Sequence, residues 1–126
     1  MKRLVIDIDD TITVSHENTT YENVSPNLEV IEQLRVYRAS GFEIVLSTAR
    51  NMRTYEGNVG KINANTLPIL IDWLKRHDVP YDEIWTGKPW CGFEGFYVDD
   101  KAIRPNEFLS LSYDEILKLI SAKNAD

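Results

Sequence analysis

The chain has 126 residues, 43% of them hydrophobic and 27% charged, with a formal net charge of -6. That length and apolar content suit one globular domain with a real core and leave little room for a disordered tract. The acidic balance argues against a broad electrostatic grip on nucleic acid, but not against a small phosphorylated substrate, because a bound cation can reverse the local field. The single Cys91 has no internal partner for a disulfide, which fits a reducing, cytoplasmic setting. Met1-Lys2-Arg3 is followed by only three apolar residues before Asp7, so no signal peptide is expected, and no run has the length of a membrane span.

In chain order, residues 2–8 hold the apolar run Leu4-Val5-Ile6 and predict a short buried strand. It ends in Asp7-Ile8-Asp9-Asp10-Thr11, whose crowded carboxylates repel one another unless something cationic holds them. At the carboxyl end of a strand, where α/β sheets bind ligands, such oxygen donors point to Mg²⁺. Residues 11–25 are polar and predict a loop or small hairpin. Ser25-Pro26 predicts a helix start, with Leu28, Ile31, Leu34 and Val36 on its apolar face and Gly41 closing it.

Residues 42–48 read as a second buried strand, and residues 50–63, with Gly57 and Gly60, as a mobile surface loop. A second helix is predicted from Asn65 to His77, with Leu67, Leu70, Ile71 and Leu74 on one side and Pro68 in its first turn. Asp82–Thr86 and Gly95–Asp99 read as third and fourth strands. An amphipathic helix over Tyr113–Ala122 closes the chain, capped by Ser112 with Glu115 three residues on. Strands alternating with helices imply an α/β fold in three layers, a Rossmann-like parallel sheet with helices on both faces.

In a parallel sheet the strand ends share one edge. Asp7 and Asp9, Ser47 and Thr48, Lys88, and Asp99 and Asp100 are therefore expected to converge there. A carboxylate nucleophile, a second carboxyl for proton transfer, and a metal, lysine and hydroxyl to offset charge are what phosphoryl transfer needs. No His or Cys spacing suggests zinc.

Asp7-x-Asp9-x-Thr11, Thr48, Lys88 and Asp99-Asp100 resemble the four motifs of the haloacid dehalogenase superfamily of phosphohydrolases, in order along nearly the whole chain. The resemblance implies Asp7 as nucleophile, Asp9 as general acid and base, Thr48 as a hydrogen-bond donor to the phosphoryl oxygens, and Lys88 as a support for Asp7 and the phosphate. It also implies a Mg²⁺ shell of Asp7, the main-chain carbonyl of Asp9, Asp99 and Asp100. Thr11, Ser47 and Arg50 are the candidate substrate-binding residues. The stretches Leu46–Asn51 and Gly95–Pro105 are similar to a bacterial subgroup associated with capsular polysaccharide biosynthesis, which implies a sugar phosphate or related precursor as substrate.

Neither the interval from Thr11 to Thr48 nor that from Arg50 to Lys88 has room for a separate cap domain. Water exclusion then falls to residues 11–25, to residues 50–63 or to a neighbouring subunit, making a homo-oligomer a candidate assembly. Two other classes compete. A signalling receiver domain would carry its phosphoacceptor Asp on a middle strand, whereas the second and third strands here end in Thr48 and Thr86. A non-catalytic binding protein on the same fold is disfavoured because every catalytic position is filled.

Overall fold

A computed structural model describes residues 2–122. They fall into two compact units, one reaching to Trp90 and the other beginning at Cys91.

The first unit is built on three parallel strands in the order β1-β2-β3, namely β1 (Arg3–Asp7), β2 (Glu43–Ser47) and β3 (Glu83–Trp85). The register pairs Asp7 with Ser47 and Ser47 with Trp85, so the carboxyl ends of all three strands lie level. Ile44, Val45 and Leu46 of the central β2 are buried, as the run of branched residues predicts for a covered strand. On β1 only Ile6 is buried and Val5 stays 62% exposed, so the two-sided burial expected there is not met.

Helix α1 (Leu28–Ala39) crosses from β1 to β2. Its cap is Asn27, whose side chain accepts from the Val30 N–H, and not the expected Ser25-Pro26. Pro26 instead forms an antiparallel bridge with Thr13, and the Ser25 carbonyl accepts from Val14 N–H. Residues 11–25 are thus closed at their base like a hairpin. The buried face of α1 is Val30, Ile31, Leu34 and Tyr37, while the expected Leu28 and Val36 are exposed. Gly41 then turns the chain at φ +94°, a left-handed conformation open to glycine at no steric cost.

Helices α2 (Val59–Asn65) and α3 (Leu67–Arg76) lead from β2 to β3. The second half of the predicted 50–63 loop is therefore helical, started by the Asn58 side chain accepting from Lys61 N–H and anchored by the buried Ile62. Pro68 sits in the first turn of α3, where a missing N–H leaves no bond unmade. Leu70, Trp73 and Leu74 are buried, whereas Ile71 is exposed. The Trp73 indole N–H donates to the Val24 carbonyl at 2.8 Å, and Arg76 donates to the Glu22 carbonyl at 2.7 Å. Helix α3 thereby ties down residues 11–25.

The second unit contains α4 (Pro105–Ser110) and α5 (Tyr113–Ser121). Helix α5 follows its expectation, with Ser112 and Glu115 exchanging side-chain to backbone hydrogen bonds at its start. The expected fourth strand is not part of the sheet, which among the described residues consists of β1, β2 and β3, and Phe96 and Val98 are largely exposed. Helix α4 had no counterpart among the predicted elements. It opens at Pro105, and the Glu107 side chain accepts from the Arg104 N–H.

Candidate active site

The end of β1 is shaped by a tight turn in which the Ile8 carbonyl accepts from the N–H groups of Thr11, Ile12 and Thr13. Asp10 adopts φ +60° there, and its N–H is taken by the Thr13 hydroxyl at 3.1 Å. Ile8 and Ile12 are fully buried, so the turn is fixed from below and Asp7 and Asp9 are presented beside one another.

Asp7 has two side-chain neighbours at the outer edge of bonding range. The Thr11 hydroxyl lies 3.4 Å from Oδ2, and the Lys88 ammonium 3.6 Å from Oδ1. Burial pushes the Asp7 carboxyl above its ordinary value, Lys88 pulls the other way, and Asp9 adds to the rise.

Lys88 reaches Asp7 because its N–H donates to the Thr48 carbonyl at 3.1 Å, which pins the loop after β3 to the end of β2. Gly87 makes the preceding turn at φ +81°, and a side chain there would meet Val59 at 2.9 Å. Both the conformation and the space therefore select glycine.

Asp9 is held far more tightly. The Thr48 hydroxyl donates to Oδ2 at 3.0 Å, and Arg50 donates to Oδ1 through Nε at 3.1 Å and Nη2 at 2.8 Å. The Thr48 hydroxyl also accepts from the Arg50 N–H at 3.0 Å, so strand end, arginine and carboxylate form one connected set. Arg50 is 3% exposed. Removing one member of a buried, hydrogen-bonded ion pair costs about 3–5 kcal/mol, so this contact defines where both side chains stand.

Tyr21, from residues 11–25, lays its ring over the guanidinium carbon at 4.2 Å. Burial and the nearby Asp9 raise the Tyr21 hydroxyl, partly offset by Arg50, so the ring covering the cation is a neutral phenol. A cavity of about 130 Å³ adjoins this group, lined by Tyr21, Arg50, Asn51, Tyr55, Asn65, Thr66 and Ile69.

Of the residues expected from sequence, Asp7, Asp9, Thr11, Thr48, Arg50 and Lys88 are brought together within the first unit. Ser47 stands in register with Asp7 at the β2 end, but the side-chain bond to Asp9 comes from Thr48. Arg50, expected to touch substrate, is committed to Asp9. Asp99 and Asp100 belong to the second unit, where both are exposed and the Asp99 carboxyl accepts from the Lys101 N–H at 2.9 Å in a local turn. Sequence reasoning passed over Tyr21; its signal was an aromatic ring in an otherwise polar segment.

The overall fold is similar to that of a crystallised target protein from Vibrio cholerae, with a TM-score of 0.90 and 63% sequence identity, over 95% of this chain and 97% of that one. This chain belongs to that protein's family. No family model and no curated protein sequence matches the chain.

Among the described residues, no group of three or more His, Cys, Asp or Glu side chains is gathered as a metal site. The donors at the end of β1 nonetheless fit a hard cation. Asp7 is a half-buried carboxylate beside a second carboxylate, and the oxygens that these two side chains present suit such an ion.

Proposed function

We propose that this protein is a Mg²⁺-dependent phosphomonoester hydrolase of the haloacid dehalogenase type, with Asp7 as its nucleophile. The observation that carries this reading is the pairing at the end of β1: a desolvated Asp7 flanked by Thr11 at 3.4 Å and Lys88 at 3.6 Å, next to an Asp9 held on both oxygens. Asp7 is arranged to react and Asp9 to be aimed. On this reading the fold is the uncapped, three-layer version of that superfamily, working in the cytoplasm.

In the first step an Asp7 oxygen attacks phosphorus and the bond to the leaving oxygen breaks. The leaving oxygen takes its proton from Asp9, the role that the motif resemblance assigns to this carboxyl. In the second step Asp9, now a carboxylate, takes a proton from water as the water oxygen attacks phosphorus. The bond to Asp7 then breaks, releasing inorganic phosphate and restoring the carboxylate. Lys88 donates toward the transferred group, while the Thr48 hydroxyl, assigned to the phosphoryl oxygens by the motif resemblance, gives its proton to Asp9 in this structure. The Asp7 carboxylate and the Asp9 main-chain carbonyl would hold Mg²⁺, which when bound would supply charge neutralisation for the phosphoryl oxygens. Asp99 and Asp100 are assigned as further ligands from the motif resemblance alone.

The same resemblance nominates a phosphorylated sugar or a cell-surface polysaccharide precursor as substrate. Thr11, Ser47 and the cavity beside Arg50 are the candidate contacts, and an oligomer would supply further cover. The test is hydrolysis of a panel of sugar phosphates, nucleotides and phospho-acids with and without Mg²⁺. Metal-dependent release of phosphate that disappears in D7N is expected, and an equally active D7N would refute the assignment.

A further inference from the structure

Arg50 is the one charged residue buried among the described residues, and none of its bonds goes to solvent-facing groups other than Asp9. Its Nη1 is buried with no hydrogen-bond partner. A guanidinium held with a donor unmet is a poor choice for packing alone, because an apolar side chain would fill the space without that penalty. What the arrangement achieves is directional. Nε and Nη2 converge on Oδ1 of Asp9 while the Thr48 hydroxyl takes Oδ2, so the carboxyl cannot rotate without breaking one of them. The Tyr21 ring lies 4.2 Å from the guanidinium carbon, and residues 11–25 that carry it are moored to α3 through Val24 and Glu22.

We infer that Arg50 is a positioning residue that fixes the direction in which the Asp9 carboxyl faces, with Tyr21 holding Arg50 in place. This rests on the phosphatase reading above and assigns Arg50 to the proton-transferring carboxyl instead of to the substrate. The consequence is specific to the leaving group. A p-nitrophenolate departs without needing a proton, whereas an alkoxide needs one as the bond to phosphorus breaks. Since kcat/KM reports the steps through the first irreversible one, it isolates the proton given to the leaving oxygen from the later activation of water.

The experiment measures kcat/KM of the full chain with Mg²⁺ for p-nitrophenyl phosphate and for glycerol 2-phosphate, in wild type, R50A, R50K, Y21F and Y21A. In R50A the loss on the alkyl ester should exceed the loss on the aryl ester by about tenfold or more, within the range that general acid catalysis supplies. R50K should recover part of that difference, since one ammonium can replace the charge but not the two-pronged contact. Y21A should shift the same way as R50A by a smaller factor, and Y21F, which keeps the ring over the guanidinium, should shift less than Y21A. Equal losses on both esters, or no loss, would overturn the inference.

A crystal structure of R50A, or of R50K if R50A does not fold, decides the matter independently of turnover. The Asp9 carboxyl should leave the Thr48 hydroxyl, and a carboxyl unmoved from its 3.0 Å contact would overturn the inference. A wild type inert toward every phosphoester would count against the proposed function, and this structure would still judge the role of Arg50.

Discussion

Two acidic clusters that look alike in sequence, Asp7-x-Asp9 and Asp99-Asp100, stand in different surroundings. At the end of β1 the carboxyls sit over buried Ile8 and Ile12, and their partners Thr48, Arg50 and Lys88 arrive from distant parts of the chain. At Asp99 the carboxyl accepts from the N–H of Lys101, two residues on, and the neighbouring Val98 is 87% exposed. A carboxylate becomes chemically distinctive when an apolar floor and long-range donors surround it, because water otherwise screens its charge. The contrast teaches that a motif names candidates, while the fold decides which of them are desolvated.

The sharpest way to break that contrast is to neutralise each cluster in turn. D7N should lower phosphatase turnover by at least about 10⁴-fold, the scale on which removing a nucleophile acts. D99N should instead show first as a higher Mg²⁺ requirement, readable from an activity titration. Identical profiles for the two variants would remove the distinction.

Next in size is the packing of each unit. Trp73 is fully buried and bonded to Val24, so W73A should destabilise the first unit by about 3–5 kcal/mol in urea unfolding. Ile116 of α5 is a smaller buried side chain, and I116A should fall at the lower end of the range for such truncations, about 2 kcal/mol.

A smaller effect separates stability from function. Burial and Asp9 both make an ionised Asp7 unfavourable in the folded state. D7N should therefore raise Tm in metal-free buffer even as it abolishes turnover, whereas D99N should leave Tm nearly unchanged. A lowered Tm for D7N in a thermal melt would count against the desolvation argument.

The smallest effect is a pH dependence at Asp82. The Ile44 N–H and Arg38 hold its carboxyl below the ordinary value of 3.8. Since the folded value lies below the unfolded one, its contribution to stability is present above pH 3.8 and is lost as pH falls through the lowered folded value. In acid titrations followed by circular dichroism, D82N should flatten that part of the loss.

Particular elements explain how far the sequence could be read. β1 and β2 were legible because Leu4-Val5-Ile6 and Ile44-Val45-Leu46 combine strand propensity with sharp polar boundaries. The start of α1 was misplaced because Ser25-Pro26 is a strong local signal, yet tertiary pairing drew Pro26 to Thr13 and left the cap to Asn27. Helix α2 was hidden by Gly60 and two asparagines, poor helix formers that the Asn58 cap and the burial of Ile62 outweigh. Phe96-Tyr97-Val98 has the propensity of a strand, but propensity alone builds no ladder, and among the described residues the sheet consists of β1, β2 and β3. At the site, Asp7, Asp9, Thr48 and Lys88 were legible from strand-end topology. The grip of Arg50 on Asp9 and the cover by Tyr21 were not, since both depend on how a polar loop folds back.

The most direct measurement is to quench the enzyme in acid during turnover of a phosphomonoester with Mg²⁺ and map the phosphorylated peptide by mass spectrometry. Phosphate on Asp7, absent in D7N and accumulating in D9N, is the predicted result. Phosphate on another residue, or turnover with no phosphoenzyme under any quench, would contradict the account.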